Sequence, residues 1–215
     1  MKTAVEIIFA IAGCMINMCY WKKSSEEQQL IPKTVKGKLG VGVMFGMMII
    51  IAIVLAVGYP ENTLPFNLKR IGLLLVLFPA ALSDYRTHTI PNRVLLLGLI
   101  YWGLATVVEL VSDFEQFRVY LFAEIMITLI TFAALMMLRL LVKEGVGMGD
   151  IKLLMLMGLA QAGEGFVSSV MTSLIILFVV AVVSLITKKK SRKDFIPFGP
   201  EVLAGTYISI FLMGA

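Results

Sequence analysis

Charge is scarce in this sequence, and so are the residues that build metal and redox sites. Asp, Glu, Lys and Arg make up 15% of the 215 residues, against about 25% in ordinary soluble domains. Hydrophobic residues reach 59% and mean hydropathy is +0.93. A water-soluble fold has no interior large enough for that much apolar surface, so lipid must cover the excess. Cysteine and histidine are nearly missing: Cys14, Cys19 and His88 are all there are. The two cysteines lie five apart in one apolar run, off a shared helical face, and no Cys-x-x-Cys pair occurs. This argues against a structural zinc or a histidine-based metal centre. Neither Gly-Lys-Ser/Thr nor Gly-x-Ser-x-Gly is present, which argues against nucleotide hydrolysis and serine-hydrolase chemistry. Nothing implies a cofactor.

Long apolar runs take their place. A helix needs about 20 mostly apolar residues to cross a bilayer, because every backbone polar group must be satisfied within the segment. The runs predict an all-α, polytopic membrane helix bundle of about eight spans, near 3–21, 39–59, 67–84, 93–111, 119–142, 150–163, 166–187 and 201–214. The third and sixth are short: the run Ile71–Leu82 contains Pro79, and Ile151–Ala162 is equally brief. Thr3–Trp21 reads as a span, since Glu6 and Asn17 interrupt it and no small-residue cleavage pattern precedes Lys22. Gly42-Val-Met-Phe-Gly46 is a small-xxx-small pattern expected to pack two helices, within or between chains.

Orientation follows from Lys and Arg, which are enriched in short cytoplasmic loops. Lys22, Lys23, Lys33, Lys36 and Lys38 follow the first span, and Arg86 and Arg93 separate the third from the fourth. Arg139, Lys143 and Lys152 flank the fifth-to-sixth connection, and Lys188, Lys189, Lys190, Arg192 and Lys193 follow the seventh. The other side holds only Lys2, Lys69, Arg70 and Arg118. Both termini are therefore expected outside. The charge runs read as topology signals and headgroup attraction rather than nucleic-acid binding.

Most acids fall in polar connections; Glu6, Glu109 and Glu124, near span ends, are ambiguous. Asp84 and Asp150 stand apart. Asp84 ends the third span and Asp150 begins the sixth, both on the expected cytoplasmic side. A carboxylate at the edge of hydrocarbon is costly and marks a functional hypothesis. Two at one depth can divide the work of acid and base around a water molecule. The helix ends predict Asp150 as the ionised member and Asp84 as the proton holder. Gly145, Gly147 and Gly149 offer backbone that approaches a substrate strand and takes positive φ. Lys152 reads first as a headgroup contact.

These residues resemble the type IV prepilin peptidase family of GxGD-type aspartyl peptidases. Asp84 lies seven residues before Pro91, followed by Asn92 where that family often has aspartate. Gly147-Met148-Gly149-Asp150 supplies the second motif, continued by Ile151-Lys152-Leu153-Leu154, and Ile196-Pro197-Phe198-Gly199-Pro200 is similar to the C-terminal signature. The resemblance implies an aspartic endopeptidase with Asp84 and Asp150 as catalytic pair and Gly147, Gly149, Lys152 and Pro91 shaping the site or binding substrate. It divides the chain into 1–66, N-terminal spans with a short basic loop, and 67–215, a catalytic membrane domain. The implied partner is a prepilin-like protein with a basic leader and an apolar helix, besides membrane lipid and a further copy of the chain. The implied location is the plasma (inner) membrane of a prokaryote. Larger members carry a cysteine-rich segment after the first span and also methylate the product. Here Lys22–Lys38 has no cysteine, and only Leu30-Ile31-Pro32 echoes that loop's opening, so peptidase activity without the methyltransferase half is expected. The rival readings are a protease of the presenilin and signal-peptide-peptidase type and a small proton- or cation-coupled transporter.

Overall fold

A computed structural model describes residues 2–28, 35–142, 146–187 and 196–214. Lys33, Lys143, Gly145, the Leu30-Ile31-Pro32 trace and the Lys188–Lys193 basic run lie outside the described residues. Eight helices and no strand form among those described: α1 (Lys2–Gln28), α2 (Val35–Gly58), α3 (Leu64–Thr87), α4 (Asn92–Ser112), α5 (Phe114–Leu141), α6 (Met148–Gln161), α7 (Gly163–Ile186) and α8 (Gly199–Met213). Each coincides with one expected span. By length and composition α3, α4, α5 and α7 can each cross a membrane. The chain is a multi-pass membrane protein.

The third span is longer than its apolar run suggested. α3 has 24 residues, about 36 Å at 1.5 Å per residue, and it is the hub on which α1, α2, α4, α6 and α8 pack. Its most apolar stretch is 83% buried inside the protein, against 11% for α5 and for α7. Protein rather than lipid surrounds it, so it tolerates Asn67, Lys69, Arg70 and Asp84, all buried. α6 is short, with 14 residues, and is likewise enclosed.

Pro79 lies inside α3. Proline has no N–H, so the carbonyl of Leu75 one turn earlier loses its helical donor. Asn17 of α1 replaces it, donating Nδ2–H to Leu75 O at 2.6 Å. The polar residue that interrupts the first apolar run is thus the substitute donor for a proline-broken turn. Close helix approach rests on small residues elsewhere: a Cβ at Gly205 of α8 would lie 2.5 Å from the Ser173 backbone nitrogen of α7. Gly42 and Gly46 are different, because nothing within 4 Å of either would meet a Cβ. Their small-xxx-small face is unused within the described chain.

Candidate active site

Asp84 sits in the last turn of α3, and the chain reverses immediately after it. His88 takes the left-handed conformation (φ 51°) and donates its N–H to Asp84 O at 2.9 Å, closing the helix. Ser83 Oγ–H reaches Thr89 O at 2.8 Å and Thr87 Oγ1–H returns to Ser83 O at 2.9 Å, which fixes the turn. Pro91 then caps α4 with φ −66°, presenting its carbonyl to Val94 N–H. The seven-residue interval from Asp84 to Pro91 therefore spans one helix end, one turn and one helix start.

Asp150 belongs to the first turn of α6, whose N-cap is Gly147. Its carboxylate folds back to accept the Gly147 backbone N–H, as the acidic member of a capping box does. A Cβ at Gly147 would lie 2.9 Å from Asp150 Oδ2, and one at Gly149 would lie 3.2 Å from Ile90 Cβ. The first glycine makes room for the carboxylate, and the second lets α6 abut the turn before Pro91. Gly147 has φ −69° and neither it nor Gly149 is left-handed. The expected positive φ is not used at these two positions; close packing is the reason for glycine there.

The two carboxyl groups, 66 residues apart in sequence, lie within electrostatic reach of one another. Asp84 is 4% exposed, while Asp150 is half-buried. Lys152, exposed, donates to Asn92 Oδ1 at 2.9 Å and so links α6 to the start of α4. Its described contact is this bridge rather than a carboxylate.

One site residue had no role assigned from sequence. Gly199, at the start of α8, donates its backbone N–H to Asp84 Oδ2 at 2.7 Å. A Cβ there would lie 3.0 Å from both Asp84 Cβ and Ala81 Cα. Its only sequence signal was the Ile196–Pro200 trace, which the structure places against Asp84. Among the described residues no group of three or more His, Cys, Asp or Glu is arranged to hold a metal.

A profile of the type IV leader peptidase family matches residues 71–187, more than half of the chain, including both aspartates. The chain belongs to this family. Among curated members, the prepilin leader peptidase/N-methyltransferase of Bacillus subtilis (strain 168) is 25% identical over 150 residues, which are 65% of this chain and 58% of that protein. The chain thus aligns with less than two thirds of that relative's length. No solved structure matches. Gly199 and α8 lie beyond the family-matched span, yet they complete the surroundings of Asp84.

Proposed function

We propose that this chain is an intramembrane aspartyl endopeptidase that removes the short basic leader of type IV prepilin-like precursors at the cytoplasmic face of a prokaryotic plasma membrane. The observation that carries this reading is the convergence of Asp84 and Asp150, each fixed by a backbone N–H, at one end of a membrane bundle. Family membership supplies the substrate class, and residues 67–215 form the catalytic unit in this reading.

One carboxylate takes a proton from water as the water oxygen attacks the scissile carbonyl carbon, and the partner's proton passes to the carbonyl oxygen. The tetrahedral species then collapses. The C–N bond breaks, the departing nitrogen is protonated, and the pair regains its single shared proton. Asp84 Oδ2 is committed to Gly199 N–H, which leaves Oδ1 for the reaction. Because both carboxyls accept a backbone N–H, the helix-end argument for Asp150 as the charged member does not separate them. Gly147, Gly149, Pro91 and the Lys152–Asn92 bridge shape the site. The Lys22–Lys38 segment has no cysteine, which supports peptidase activity without the methyltransferase half.

Cleavage of a prepilin-like substrate by the purified protein in detergent tests the reading. Asp84→Asn and Asp150→Asn, each verified as folded, are expected to lose about 10²-fold or more in rate. A folded variant that keeps full activity, or a wild type that cuts none of a panel of leaders, would rule the two-aspartate peptidase out.

A further inference from the structure

Arg139 is half-buried in the last turn of α5. A cation there balances the carbonyl end of the helix dipole and fits the basic bias expected of a cytoplasmic end. Neither effect specifies where the guanidinium should point. It points forward along the chain: Nη1–H donates to the backbone oxygen of Val146 at 3.2 Å, the residue just before the N-cap of α6.

The Val146 carbonyl and the Gly147 N–H are the two ends of one planar peptide group. Arg139 holds the oxygen end, and the nitrogen end donates to the Asp150 carboxylate. The Gly147 carbonyl, in the next peptide group, accepts Ile151 N–H at 3.1 Å and so opens α6. The start of α6 and the carboxylate of Asp150 therefore share one anchor on α5. Lys152 lies closer to Asp150 in sequence, but its ammonium group goes to Asn92 Oδ1. Of the two cations, Arg139 is the one joined to Asp150 through a single peptide.

A cation on the carbonyl oxygen also polarises the peptide and makes its N–H a stronger donor, because hydrogen bonds in series reinforce one another at low dielectric. The amide that serves Asp84 is backed differently. Gly199 N–H belongs to the Phe198–Gly199 peptide, whose oxygen accepts the neutral Val202 N–H of α8 at 3.1 Å. One aspartate is thus held through a helix's own backbone, and the other through a peptide clamped from a neighbouring helix.

We propose that Arg139 is a positioning residue for Asp150, acting through the Val146–Gly147 peptide rather than by touching substrate. Its part in cleavage rests on the peptidase reading above; the clamp itself does not.

Amide NMR of the full chain in detergent, with glycine labelled by heavy nitrogen, tests the clamp without any substrate. Gly147→Ala and Gly199→Ala identify the two resonances by their disappearance. Arg139→Met, verified as folded, should move the Gly147 amide proton upfield and speed its exchange with solvent about tenfold or more, with Gly199 unchanged. Arg139→Lys keeps a cationic donor on a long stem and should retain much of the wild-type position. In leader cleavage, Arg139→Met is expected to lower kcat about tenfold with KM unchanged, and Arg139→Lys to recover most of that loss. A Gly147 amide that stays put in folded Arg139→Met, or that moves together with Gly199, would overturn the clamp. A shifted Gly147 amide with kcat intact would overturn the positioning role. A wild type that cuts no leader would instead remove the peptidase reading, and the amide result alone would then decide the clamp.

Discussion

At position 199 the side chain is a hydrogen because an aspartate stands where a methyl group would go. Gly199→Ala puts a Cβ 3.0 Å from Asp84 Cβ and Ala81 Cα, so α8 must back away and the N–H to Asp84 lengthens. A hydrogen bond to a charged group contributes about 1.5–3 kcal/mol, which translates to about 10- to 100-fold in kcat/KM. Steady-state cleavage should register that loss with the melting temperature little changed. Asp84 and Asp150 stand out in the sequence, since carboxylates at the edge of hydrocarbon demand a reason. Gly199 does not, because a backbone N–H leaves no side-chain signature and its partner lies 115 residues away. Asn17 was visible only as a polar interruption, since its purpose depends on Pro79 in another helix. Asn17→Leu strips the Leu75 carbonyl of its donor and should lower stability by about 1–3 kcal/mol, measurable by chemical unfolding in mixed micelles.

Among the elements, α3 departs most from its sequence appearance. Counting apolar residues made it short, because Asn67, Lys69, Arg70 and Asp84 were assigned to its margins. The helix runs through all four, since neighbouring helices shield them. Glu109 and Glu124 stayed ambiguous in the sequence for a related reason: their partner, Lys69, belongs to α3, and helix adjacency is not written in periodicity. Their purpose is a three-residue ion cluster joining α3, α4 and α5. Lys69→Met leaves two buried carboxylates facing each other and should destabilise by about 3–5 kcal/mol. Combining it with Glu109→Gln and Glu124→Gln should restore much of that loss in the same unfolding assay. A triple variant no more stable than Lys69→Met would mean that the cluster is not the source of the cost.

For the molecule as a whole, the helical spans were readable because lipid demands long apolar runs, and the Lys and Arg bias predicts one orientation for them. Helix order sets the two aspartates and the Lys69–Glu109–Glu124 cluster at opposite ends of the bundle. In a background of Cys14→Ala and Cys19→Ala, Thr89→Cys beside the aspartates should react with a membrane-impermeant maleimide only after cells are opened. Glu61→Cys, at the far end, should react in intact cells. The reverse pattern would invert the orientation and remove the site from the cytoplasm.

The central helix also constrains how the protein is made. α3 is the least apolar of the four long helices, with hydropathy 1.4 against 2.2 to 2.7, and it leaves the ribosome before Glu109 and Glu124 exist to balance Lys69. A growing chain stopped near residue 91 therefore presents the insertion machinery with Lys69 and Arg70 in the first half of α3 and without the Glu109 and Glu124 that later face Lys69. Its integration must wait until α4 and α5 have been synthesised, so the middle of the bundle enters the bilayer after, or together with, its own periphery.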